Sequence, residues 1–125
     1  MNNDKIKVVL IVEDDKVISD ALNEEFLEAG FEVIQAFDGV QGLDLTKTHK
    51  PNLILLDIMM PRKNGFEMLK DLKESPITKD IPVIVLTALG QNDDIKKIID
   101  LGAEGYIVKS GKSLTQVLEE VKIFL

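Results

Sequence analysis

Five short runs of Val, Ile and Leu punctuate the chain, at Val8 to Val12, Glu32 to Ala36, Leu53 to Leu56, Val83 to Leu86 and Gly105 to Val108. Each has the length and aliphatic content of a strand. The first, third and fourth are apolar continuously rather than alternately, as in parallel strands covered by helices on both faces, so these three are predicted to be central. Between the runs the spacing changes from two to 3.6. Ile18, Ala21, Leu22, Phe26 and Ala29 share one helical face, which Gly30 ends as a left-handed cap. Ile95, Ile98 and Ile99 before Gly102 follow the same rule, as do Leu114, Val117, Leu118, Val121 and Phe124. Asn64 is an N-cap candidate for a helix burying Phe66, Leu69 and Leu72, which Ser75-Pro76 stops. The segment Gly39 to Thr48 is read as the remaining helix, with Gly42 costing about 1 kcal/mol relative to Ala in its interior.

Strand and helix therefore alternate five times. No repeat, low-complexity tract or charged linker interrupts them. Right-handed crossovers place helices on both faces of a parallel sheet, giving an α/β, doubly wound fold whose common five-strand order is 2-1-3-4-5. At 125 residues the chain fits one domain, 1–125, with residues 1–5 expected to form a short flexible tail. The last helix is expected to run to Leu125, leaving no output domain after it.

Composition narrows the function. Fifteen basic against 22 acidic residues give a net charge of −7, which argues against binding nucleic acid or an anionic membrane. The absence of cysteine excludes disulfides, thiolate metal sites and a cysteine nucleophile, and a single histidine, His49 before Pro51, leaves zinc chemistry and a Ser/His relay poorly supplied. Apolar stretches end in charge after about five residues, well short of the roughly 18 to 20 that span a membrane. Glu13-Asp14-Asp15 also closes the first stretch too early for a signal peptide. A cytoplasmic protein is expected.

Ligands of such sheets bind beyond the carboxyl ends of the strands. The residues there are Glu13 and Asp14 after the first run, Asp57 after the third, Thr87 after the fourth and Lys109 after the fifth. Three carboxylates crowded at the first and third strands would repel one another unless a cation intervenes, and an all-oxygen, water-accessible donor set suits Mg²⁺. The chain has neither a G-x-x-x-x-G-K-[ST] loop nor a G-x-G-x-x-G turn, which disfavours nucleotide binding. What remains is a carboxylate nucleophile, a metal, an ammonium and a hydroxyl, a set able to form an acyl phosphate. Asp15 alone reads as an N-cap.

In order along the chain, Glu13-Asp14-Asp15, Asp57-Ile58-Met59-Met60-Pro61, Asn64-Gly65, Thr87-Ala88 and Gly102-Ala103-Glu104-Gly105-Tyr106 leading to Lys109 resemble the response-regulator receiver domain of two-component signalling, a flavodoxin-like fold. The resemblance spans essentially the whole chain. It implies that Asp57 is phosphorylated from a phosphohistidine on a sensor histidine kinase or histidine phosphotransfer protein. It also implies that Mg²⁺ is held by Asp14 and Asp57 directly, by Glu13 mainly through water and by the backbone carbonyl of Met59. Lys109 would pair with Asp57 and then with the phosphoryl group. Thr87 would swing toward the phosphoryl oxygens, and Tyr106 would turn inward behind it. The helix 4/strand 5/helix 5 surface would then meet an effector or a second copy in a phosphorylation-dependent dimer. Such a domain catalyses only its own phosphorylation and dephosphorylation.

The chain departs from the family at two places. Ser110 follows Lys109 where a proline in a cis peptide is usual, and Gln41-Gly42 replaces Glu-Ala, which suggests a looser second helix. Met59 and Leu89 stand where side chains help set phosphate lifetime. Two other readings are a receiver-fold interaction module that is not phosphorylated and a Mg²⁺-dependent aspartyl phosphatase. The second lacks its acid two residues after the nucleophile, where Met59 stands.

Overall fold

Because adjacent strands are parallel, each apolar run must leave the sheet, cross through a helix and re-enter beside a neighbour. The computed structural model of the chain describes residues 6–58, 60, 64–88 and 92–125, with only the backbone of residues 92 and 93. Met59, Leu89 and residues 1–5, on which three of the expectations above fall, lie outside the described residues. The strands are β1 (Val8–Val12), β2 (Glu32–Ala36), β3 (Leu53–Asp57), β4 (Val83–Thr87) and β5 (Gly105–Val108). They form one parallel sheet in the order β2-β1-β3-β4-β5. The predicted order and the central places of β1, β3 and β4 are observed: every residue of β3 and β4 is buried, and all of β1 after Val8.

The helices are α1 (Lys16–Glu28), α2 (Gly39–His49), α3 (Gly65–Glu74), α4 (Asn92–Asp100) and α5 (Leu114–Lys122). Strand side chains alternate between two cores. Leu10, Val12, Ile54, Leu56, Val83 and Val85 pack with Met68, Leu69 and Leu72 of α3 and Ile98 of α4. Val9, Ile11, Leu53, Leu55, Ile84, Leu86 and Ile107 pack with Leu22 and Phe26 of α1 and Val117, Leu118 and Val121 of α5. Side-chain caps set the helix starts. Asp15 accepts from the backbone N–H groups of Val17 and Ile18, while Asn64 with Glu67 and Ser113 with Gln116 each close a reciprocal capping box.

Several details differ from the periodicity. β3 and β4 each extend by one residue, so that Asp57 and Thr87 are the last strand residues. α5 ends at Lys122 rather than Leu125, and the Phe124 ring lies over Gly105, where an added Cβ would fall 2.8 Å from Phe124 Cζ. α2 runs one residue past the expected Thr48, so that His49 closes the helix rather than lying in the loop before Pro51, with Lys50 in the left-handed cap. Ile99 is 54% exposed and Ala29 is exposed too, because each stands at the rim of its helix's buried stripe. Gly42 is a point of close approach: a Cβ there would lie 2.8 Å from Met68 Cε and 3.1 Å from Val12 Cγ2. The glycine lets α2 sit tightly against α3 and β1, rather than loosening it. The Lys109–Ser110 peptide is trans, like every described peptide bond. No helix among the described residues is long and apolar enough to cross a membrane.

At the sheet edge away from the carboxylates, Lys73 Nζ donates to the carbonyls of Lys79 and Ile81, each at 3.0 Å, and to Glu104 Oε2 at 2.9 Å. Glu104 Oε1 accepts from Val83 N–H at 2.7 Å. The Lys73 side chain is only 12% exposed, so removing its ammonium strands several acceptors. Lys73→Met is expected to lower unfolding stability by about 2 kcal/mol in urea denaturation, and Glu104→Gln by less.

Candidate functional site

Register brings the chemistry together. β1 and β3 pair Val12 with Leu56, so the next residues, Glu13 and Asp57, fall side by side. Glu13 continues the parity of Ile11, Asp57 that of Leu55 and Lys109 that of Ile107, all on the α1/α5 side of the sheet. Thr87 continues the parity of Val85 on the other side. Tyr106 pairs with Val85 and Val108 with Thr87, which places Thr87 and Tyr106 on the face that carries α4. The backbone closes the corner through Lys109 N–H, which donates to Thr87 O at 2.8 Å, and Glu13 N–H, which donates to Ala36 O at 3.0 Å.

Glu13, Asp14 and Asp57 each offer a carboxylate oxygen, and these oxygens lie within 4.8 Å of one another. Glu13 and Asp57 are buried, whereas Asp14 is exposed and opens the cluster to solvent. Lys109 Nζ lies 3.2 Å from Glu13 Oε1 and 3.7 Å from Asp57 Oδ1. Burial pushes the Glu13 carboxyl up to about 7, helped by a hydrogen bond to Asp57 and by the Asp57 charge; the backbone N–H of Asp15 and the Lys109 ammonium pull the other way. One ammonium thus only partly compensates the three carboxylates. An all-oxygen set that holds a proton this strongly is the donor chemistry of a hard divalent cation. Thr87 is fully buried at the end of β4, and Tyr106 is 39% exposed.

The structure therefore brings together Glu13, Asp14, Asp57 and Lys109, places Thr87 at the adjacent strand end, and leaves Tyr106 facing outward. Sequence reasoning missed how Gly65 locks this corner. Its N–H donates to Ile58 O at 3.0 Å, and an added Cβ would fall 2.4 Å from Ile58 Cα and 2.6 Å from Asp57 O. Only glycine lets the start of α3 rest on the Asp57 backbone. Asn64-Gly65 carried that signal, though in the sequence it reads only as an N-cap and as one motif of the resemblance. The pairing of Lys109 with Glu13 as well as Asp57 had no signal in the sequence.

The fold, with its acidic corner at the carboxyl edge of a 2-1-3-4-5 parallel sheet, defines the class of receiver-type α/β domains, and the comparisons agree. The family model for the response regulator receiver domain matches residues 9–122, and the chain belongs to that family. The chain is 36% identical over 119 residues to the polar-differentiation response regulator DivK of Brucella anthropi, covering 95% of this chain and 96% of DivK. It is 43% identical over 101 residues to the DNA-binding dual master transcriptional regulator RpaA of Synechocystis, covering 81% of this chain but only 42% of RpaA's length. Among solved structures, the chemotaxis response regulator CheY4 of Vibrio cholerae superposes with a TM-score of 0.90 at 26% identity, covering 97% of this chain and 100% of CheY4. The chain is thus a response-regulator receiver domain, a module of phosphorylation-based signalling and a switch rather than a classical enzyme.

The raised Glu13 proton affinity has a measurable consequence. A carboxyl whose folded value lies above its unfolded one stabilises the fold below the unfolded value and loses that contribution as pH rises through the folded value. In magnesium-free solution, wild-type stability relative to Glu13→Gln is expected to fall by roughly 2 to 3 kcal/mol between about pH 5 and about pH 8. A pH-independent difference in urea midpoints would contradict the buried, proton-hungry Glu13.

Proposed function

We propose that this chain is the cytoplasmic phosphoacceptor switch of a two-component phosphorelay, with Asp57 taking a phosphoryl group from a phosphohistidine on a sensor histidine kinase or a histidine phosphotransfer protein. The observation that carries the reading is the convergence of Glu13, Asp14 and Asp57 within 4.8 Å beside the Lys109 ammonium. In the step itself an Asp57 oxygen bonds to phosphorus, the phosphorus–nitrogen bond to the donor imidazole breaks, and the departing nitrogen takes a proton.

Lys109 sits near enough to Asp57 to follow the charge from carboxylate to phosphoryl oxygens with little movement. Asp14 and Asp57 would hold Mg²⁺ directly and Glu13 mainly through water; the Met59 carbonyl, carried over from the family resemblance, lies outside the described residues. When bound, the ion offsets the crowded negative charge of carboxylates and phosphoryl group. The buried Thr87 hydroxyl then turns toward the phosphoryl oxygens and the Tyr106 ring follows on the same face of the sheet. The surface of α4, β5 and α5 thereby changes for a downstream effector or a second copy.

Incubation with Mg²⁺ and a small acyl phosphate should add one phosphoryl group by intact-mass spectrometry, and Asp57→Asn should add none. Full labelling of the variant would overturn the assignment; an unlabelled wild type with partner binding unchanged by the substitution would leave a phosphorylation-independent interaction module. Tyr106 is the only tyrosine and there is no tryptophan, so intrinsic fluorescence reports this ring alone. Phosphorylation should change its emission in the wild type, and Thr87→Ala should accept phosphate yet lose most of that change.

A further inference from the structure

α4 is thinly held. Of its described side chains only Ile98 is fully buried, Ile95 is half-buried, and Ile99 faces solvent. A second attachment comes from the side: Lys97 Nζ lies 4.2 Å from the centroid of the Phe66 ring. Lys97 has no carboxylate within ion-pair distance among the described residues, whereas its neighbour Lys96 pairs with Asp100 at 3.1 Å. The Lys97 charge is thus directed at the face of an aromatic ring, an attraction lost once the pair separates beyond about 6 Å.

The position of that ring is not independent of the phosphoacceptor corner. Phe66 follows Gly65, whose approach to Ile58 Cα and Asp57 O admits no side chain and whose N–H is bonded to Ile58 O. Phe66 is therefore fixed to the Asp57 segment, and Lys97 fixes α4 to Phe66. Thr87 and Tyr106 lie on the α4 face of the sheet, so an inward turn of the Tyr106 ring crowds the helix whose one buried anchor, Ile98, is next to Lys97.

We propose that the Lys97–Phe66 contact is a latch that ties α4 to the Asp57 segment in the unphosphorylated state and must open for α4 to move. The inference rests on the phosphoacceptor reading and goes beyond it, because it names the contact that sets how far the resting equilibrium lies from the active arrangement. A contact present in one state only shifts the equilibrium by its own worth.

The test is the affinity of the full chain for beryllofluoride, a phosphoryl mimic, with Mg²⁺, followed by fluorine NMR. Lys97→Met keeps the aliphatic stem without the charge, and Phe66→Leu keeps apolar bulk without the ring face. Each should tighten binding about two- to five-fold, and the double variant should gain no more than either alone. Lys97→Arg should bind as the wild type does. In the unliganded protein, amide exchange of α4 should quicken by a similar factor in Lys97→Met. Unchanged affinity in both single variants, or gains that multiply in the double variant, would overturn the latch while leaving the phosphoacceptor reading intact. Faster exchange with unchanged affinity would overturn it too, by reducing the contact to packing. A wild type that does not bind beryllofluoride would remove the phosphoacceptor reading and the latch together.

Discussion

Three carboxylates held within 4.8 Å of one another beside one ammonium are the constraint around which the molecule is organised. Like charges at that separation are tolerated only where the frame is stiff and a counter-charge is near. The frame is a parallel sheet whose central strands are buried on both faces, and Glu13 and Asp57 leave it from neighbouring strands in matched register. Burial raises the proton affinity of Glu13, and the Asp57 hydrogen bond adds to it, as does the mutual repulsion. A proton, a divalent cation or a redistribution of charge onto a phosphoryl group each relieves it. The corner is for that reason responsive to charge, which a well-compensated ion pair would not be.

The alternation of strand side chains separates the acidic corner from Thr87 and Tyr106, the proposed switch pair. Glu13, Asp57 and Lys109 share the parity of one core, and Thr87 and Tyr106 that of the other. A charge change on one side therefore has to pass through the ends of β3 and β4 to be felt by α4. Under the proposed function two connections would serve this passage: Thr87 at the end of β4, and the Gly65–Phe66 start of α3 pressed on the Asp57 backbone. α4 meets the second through Lys97 on the Phe66 ring and is itself anchored by little more than Ile98, so it is an element of low local stability. By contrast the opposite sheet edge is clamped by Lys73 and Glu104 across α3, β4 and the loop before β5.

Strand positions and the approximate helices were legible because they rest on two periods and on a burial pattern that continuous runs such as Leu53 to Leu56 display openly. The strand order, which the periods alone do not fix, rests on the common arrangement of five-stranded doubly wound sheets. The strand-end residues were legible for the same reason: once the sheet is parallel, Glu13, Asp57, Thr87 and Lys109 must fall on one edge. Element ends were less so. Phe124 fits the helical spacing of α5, yet the chain leaves the helix at Lys122 because the ring is accommodated over Gly105. Ile99 has the spacing of a core residue but stands outside the narrow stripe α4 buries. Gly42 looks like a weakness in a helix and Gly65 like part of a helix start, yet both are points of close approach, which becomes visible only when the neighbours Met68, Val12 and Ile58 are in place.

The amino-acid order alone dictated the α/β sheet and the inventory of its acidic edge, since local periodicity and the handedness of crossovers leave few ways to bury those runs. The distances belong to the folded chain. That Lys109 lies nearer Glu13 than Asp57, that burial and Asp57 raise the Glu13 carboxyl, and that Lys97 rests on Phe66 all depend on side chains far apart in sequence meeting in a shared low-dielectric corner or across two helices. Long-range proximity and desolvation have no local signature, so only the packed structure decides them.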